Sequence, residues 1–213
     1  MDIHPPSGRV ESLKEIFTHI FIVTVGILIA LSLEGVRELW REHTIVNEER
    51  DIIHAEMSRN VPKIKEDLDN LKTADAELAQ ILKEMPQLAK KPAEFQKRVG
   101  QLSFRRYGFS LEMSAWDDAI ASGAIPHMSH DEVHRFSNYN SDMKYYLDIT
   151  RGAFPVENKC KAYVLSHDTF SSAEAAAAEE CLVELYGWTS RLEGNGPGLL
   201  KHTQETLEGP KDK

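Results

Sequence analysis

Between Glu15 and Glu34 lies a string without one formal charge, Ile16–Leu33, IFTHIFIVTVGILIALSL. As an α-helix rising ~1.5 Å per residue it reaches roughly 27 Å, close to the hydrocarbon thickness of a bilayer. A helix buried in a soluble core ordinarily keeps a polar stripe. Here the polar groups are only Thr18, His19, Thr24 and Ser32. The hydroxyls can bond back to the carbonyl one turn earlier, and His19 sits one turn in, where an imidazole leans toward the headgroups. A cleavable signal peptide would have a shorter apolar run and a small-residue cleavage site, whereas a charged helix follows this one. The string reads as a single-pass membrane span, with the lipid bilayer as partner through Ile16–Leu33.

The remainder of the 213-residue chain is long enough for one domain with a genuine core. The net charge of −9 lies entirely outside the span. An acidic body is repelled by phosphate backbones, so no nucleic acid partner is expected. Orientation is nearly undetermined. Arg9 and Lys14 precede the span, while Arg37, Arg41 and Arg50 follow it, and the positive-inside rule favours neither side.

The domain boundaries follow from the chain taken in order. Residues 1–9, with Pro5-Pro6 and Gly8, form a flexible tail, and 10–43 the membrane anchor helix with its juxtamembrane segment. There Glu34–Arg37 and Glu38–Arg41 are opposite charges at i,i+3, and Trp40 stands where an interfacial aromatic belongs. Residues 44–208 form a helical bundle and 209–213 a disordered tail.

Within the bundle, Met57, Val61, Ile64, Leu68, Leu71, Asp75, Leu78, Leu82 and Met85 recur at alternating four- and three-residue steps. This seam needs a helical partner, either from the same chain (a bundle) or from a second copy (a coiled coil). Val46 and Ile53 extend it upstream, and Pro62 should kink the helix. Met85-Pro86 and Lys91-Pro92 bracket a turn, after which 92–104 makes a short helix. Arg105-Arg106-Tyr107-Gly108 reads as a connection. Met113, Trp116 and Ile120 predict an amphipathic helix with Trp116 as a core anchor, ended by Gly123. Ser129 and Glu132 form a capping box opening a helix to about Thr150, where RGAFP breaks it. A helix over 156–169 follows. Ser171 and Glu174 open the next, to about Leu192, before GNGPG and a last helix over 197–208. No segment alternates in the strand pattern. The expected fold is all-α: an N-terminal transmembrane helix continuous with a long helix, then an antiparallel helical bundle.

Cys160 and Cys181 are too few for a disulfide scaffold or a cysteine-only zinc site. Their midpoint falls between Phe170 and Ser171, at a predicted turn, so an antiparallel hairpin would set the thiols at the same height. Whether they are bonded or simply buried as small apolar groups the sequence leaves open. A bond would favour a periplasmic body.

Only His127, His130 and His134 have metal-like spacing. His130 and His134 share a helical face, and His130-Asp131-Glu132-Val133-His134 is one substitution from H-E-x-x-H. Asp131 holds its carboxylate one methylene too short for the general base, and a helix start explains both acids. A metal-dependent hydrolase through this trio is the weakest alternative. Asp117 and Asp118 point ~100° apart on a helix and do not converge. The glycines of GNGPG follow no strand and do not make a phosphate cradle. No catalytic, cofactor-binding or metal residue is assigned, no cofactor is expected, and the chain is not read as an enzyme.

In Gly26-Ile27-Leu28-Ile29-Ala30-Leu31, followed by Glu34 and by Arg37 through Glu42, the chain resembles a diffuse group of uncharacterised bacterial single-pass helical proteins. Ala115-Trp116-Asp117 with Ser122-Gly123-Ala124 is similar to an A-W-x...S-G-x stretch in a later helix of that group. The two stretches cover less than a quarter of the chain. Where some of the group carry an aromatic-and-asparagine signature after the span, this chain has Val36-Arg37-Glu38-Leu39-Trp40. The resemblance implies anchoring in a bacterial inner membrane and supplies no activity. The expected function is that of a membrane-anchored interaction or accessory protein, associating with itself or with another membrane protein through the Met57–Met85 seam or the Gly26/Ala30 face. A ligand-sensing bundle coupled to its membrane helix is the alternative.

Overall fold

The computed structural model describes residues 13–102 and 111–209. The tail over 1–9, the connection at Arg105–Gly108 and most of the tail over 209–213 lie outside the described residues. All described secondary structure is helical: α1 (Leu13–Leu88), α2 (Pro92–Gln101), α3 (Ala115–Ala121), a 3₁₀ turn (Ile125–His127), α4 (His130–Leu165) and α5 (Ser172–Glu208). The chain divides into two units, Met1–Asn47 and Glu48–Lys213.

The first unit's helix is long and apolar enough to cross a membrane, with a mean hydropathy of 2.4 and none of its apolar window buried. Phe17, Phe21, Leu31 and Leu33 are exposed. The hydroxyls bond back as expected. Thr24 Oγ1 donates to the Ile20 carbonyl at 2.8 Å and Ser32 Oγ to Leu28 at 2.7 Å, so neither leaves a naked polar group on an apolar helix. Arg41 meets Glu38 at 2.6 Å and Arg37 meets Glu34 at 3.9 Å.

In the second unit the seam of α1 is buried by its own chain. Met57, Ile64, Leu71 and Leu78 are 0% exposed. Leu68 lies against Gly196 of α5, and Thr189 Oγ1 of α5 donates to Asp75 Oδ1 at 2.5 Å. The chain's own helices thus supply the partner that the seam needs. The seam also drifts. Val61 and Leu82 are only half-buried, while Asn60 and Ile81 take the core. A straight helix of 3.6 residues per turn slips relative to a 3.5 repeat.

The cross-contacts fix the topology. Positions 142 and 160 of α4 meet 202 and 181 of α5, so these two helices are antiparallel. Positions 68 and 75 of α1 meet 196 and 189, so α1 is also antiparallel to α5. Positions 50 and 60 of α1 meet 132 and 139, making α1 and α4 parallel. The cysteines that straddle the α4–α5 turn are bonded, with Cα atoms 5.5 Å apart. Short α2 packs on α4, where Lys161 Nζ donates to the Leu102 carbonyl and to the buried Glu157 carboxylate.

The turn bracketed by Met85-Pro86 and Lys91-Pro92 is present, at Ala89-Lys90, after α1 runs on to Leu88. Two predicted breaks are absent. Pro155 lies inside α4 and Pro197 inside α5. A mid-helix proline costs about 3 kcal/mol, and packing on both sides outweighs that. RGAFP is instead a place of close approach. A Cβ on Gly152 would stand 2.5 Å from the Trp188 ring. Trp116 is a further correction, since it and the exposed Ile120 leave the core to Ala115, Ala119 and Ala124. Small residues let α3 approach α4 closely. Gly123 ends α3 as expected, at φ +78°.

Asp75, the polar misfit in the seam, gives a first testable consequence. Thr189→Val removes its hydroxyl donor inside the core and should cost about 1–2 kcal/mol in denaturant unfolding. Adding Asp75→Leu should recover most of that loss. A single substitution without effect would contradict the contact.

Candidate functional site

Polar residues on the buried side of α1 organise the segment that leads into α3. Glu56 Oε2 accepts from the amides of Ser114 and Ala115, at 2.8 and 2.9 Å, and so satisfies the start of α3. Asn60 grips the Glu112 backbone from both sides, donating to its carbonyl at 2.7 Å and accepting from its amide at 3.0 Å. The same Asn60 amide donates to Tyr139 Oη at 2.9 Å. Burial pushes the Tyr139 phenol well above its ordinary pKa, so it stays neutral. Arg59 and Lys63 both pair with the Glu112 carboxylate, which they hold below the usual range. This cluster is self-satisfied, and its work is positional.

The start of α4 is fastened the same way. The Ser129–Glu132 capping box forms, and Glu132 Oε1 also accepts from Arg50 Nε of α1 at 2.6 Å. The Arg50 bond chiefly, helped by Ser129, holds the Glu132 carboxyl down at about 2. Because the folded value lies below the unfolded one, its stabilisation is complete above about 4.5. It is lost as the pH falls through about 2. With Arg50 a third exposed, Arg50→Ala should cost about 1–2 kcal/mol at neutral pH. The difference from the parent chain should shrink between pH 4.5 and 2 in pH-resolved denaturant titrations. A constant difference would mean that packing, not charge, carries the effect.

The most site-like feature lies between α4 and α5, toward the ends remote from the disulfide. It is an open cleft of about 420 Å³. Arg135, Asn138, Tyr139 and Asp142 face it from successive turns of α4, and His202, Glu205 and Thr206 from α5. Asp142 Oδ2 accepts from His202 Nδ1 across the cleft at 2.8 Å. The Arg135 Nε is buried and bonds nothing among the described residues, and no ion pair to its guanidinium is seen among them. Among the same residues Glu205 reaches Lys201, at 3.7 Å and in the open. The cleft thus holds charges of both signs with unspent bonding capacity.

The sequence singled out none of these residues. Its own trio is not brought together. His127 ends the 3₁₀ turn, His130 opens α4, and His134 lies one turn on, beside Asn138; all three are exposed. No group of three His, Cys, Asp or Glu stands where it could hold a metal ion among the described residues. Asp117 is exposed and meets Lys144 at 3.8 Å. No protein-family model, curated protein or solved structure matches the chain.

Proposed function

We propose that this protein is a membrane-tethered interaction or accessory protein, held in a bacterial inner membrane by residues 16–33. The observation that carries this is a pairing of opposites: a fully exposed apolar helix in one unit and a helical core closed by its own chain in the other. Oil is the solvent that makes the first stable, because exposing those phenylalanines and leucines to water would be prohibitive. With the Met57–Met85 seam consumed inside the chain, the Gly26/Ala30 face remains for contact with another span. A Cβ on Gly26 would meet nothing within 4 Å, so its side is open to a neighbour. Cross-linking in native membranes should trap a defined oligomer or a discrete partner. Monomer at every protein concentration, or release by a salt wash, would overturn the proposal.

The disulfide supports a body on the periplasmic side, since such bonds persist in oxidising compartments. In intact cells Cys160 and Cys181 should resist maleimide labelling after denaturation unless reductant is added first. Labelling without reductant would put the body in the cytoplasm. A second reading, a ligand-sensing bundle, is favoured by one observation only, the cleft between α4 and α5.

A further inference from the structure

We infer that the α4–α5 cleft binds a small zwitterion, carrying a carboxylate and an ammonium at once, of the size of a free amino acid or dipeptide. This deepens the second reading above and rests on it. The reasoning is one of matching charges. A simple anion would find Arg135 but also face the carboxylates of Asp142 and Glu205. A simple cation would find the carboxylates but face the Arg135 guanidinium. An apolar ligand would strip water from every one of these groups without replacing its bonds. A ligand with both charges satisfies both ends.

Arg135 and Asp142 line the cleft two turns apart on one helix, roughly 10 Å along its axis, so the opposite charges stand at separate places along it. Arg135 presents its fork to the carboxylate, while Asp142 and Glu205 receive the ammonium. His202 braces Asp142 from the opposite helix, and Asn138 and Thr206 offer neutral donors and acceptors between the charged ends.

The test uses the full chain in detergent, titrated calorimetrically with the twenty amino acids and with L-alanyl-L-alanine. Acetate and ethylamine serve as half-ligands. At least one zwitterion should bind saturably at about 1 mM or better, and acetate and ethylamine should each bind at least tenfold more weakly. Arg135→Gln should weaken the zwitterion at least tenfold, as should Glu205→Gln, a surface change that leaves folding intact. Acetate binding as well as any zwitterion would overturn the inference, as would indifference to both substitutions. Mass spectrometry of small molecules released from the purified protein separates the two levels. Release of a non-zwitterionic compound, displaced by none of the panel, would sink the zwitterion but keep ligand sensing. No release and no binding would sink both.

Discussion

Replacing Cys160 and Cys181 together by alanine should lower the unfolding free energy by about 3 kcal/mol. The bond closes a loop of sequence separation 21 and so removes a large share of the unfolded chain's freedom around the α4–α5 turn. For a body of this size that loss corresponds to roughly 10 °C in Tm. Both sulfurs are buried, so serine should cost more than alanine, because a hydroxyl in that space would need a partner. The hairpin itself should survive. Its turn is fixed by the Ser171–Glu174 capping box, and Phe170 packs on Phe95 of α2 at 5.2 Å between ring centroids. Circular dichroism should therefore show unchanged helix content at low temperature, with the guanidinium midpoint shifted down. The denaturant slope should rise as the unfolded state expands. Reduction of the parent chain should reproduce the double substitution. A midpoint that ignores both treatments would show that the bond is dispensable.

How much of this is legible in sequence depends on the range of the physics involved. The apolar string announces itself because being long and apolar enough to cross a membrane is a property of contiguous residues. Both capping boxes are legible for the same reason, since Ser129 with Glu132 and Ser171 with Glu174 satisfy amides three residues away. The α1 seam is visible as a period, but its slip toward Asn60 and Ile81 needs the partner's geometry. Proline and glycine mislead where tertiary contact overrides local preference. Pro155 and Pro197 read as breaks, yet the helices on either side are packed tightly enough to absorb a missing hydrogen bond. Asp75 is recognisably out of place, and its explanation, Thr189, lies more than a hundred positions away. The cleft is invisible for the same cause. Asp142 and His202 are sixty positions apart, and Arg135 is notable only for the counter-charge it lacks among the described residues. The histidine trio, by contrast, has a pattern in sequence and no convergence in space.

The glycines of α5 turn that contrast into a measurement. Gly194, Gly196 and Gly198 sit in one helical stretch, and propensity alone would have any of them stabilised by alanine, by up to ~1 kcal/mol. A Cβ on Gly194 or Gly198 would meet nothing within 4 Å, so Gly194→Ala and Gly198→Ala should show that gain. Gly196 is different. It is buried, and a Cβ there would overlap the Leu68 side chain of α1 and stand 3.4 Å from Tyr146 of α4. Gly196→Val should therefore cost about 3 kcal/mol, since its methyls must displace either Leu68 or a whole helix. Leu68→Ala costs stability by itself, through the cavity it leaves. In the Gly196→Val background it should cost far less, or even restore stability, because the valine occupies the vacated space. A double-mutant cycle by denaturant unfolding reads that coupling directly, and a favourable interaction of more than ~1 kcal/mol is expected. Strict additivity would mean that α1 and α5 do not touch at this point. The parallel–antiparallel arrangement of the three long helices would then have to be rebuilt from its remaining contacts, Asp75 with Thr189 and Asp142 with His202.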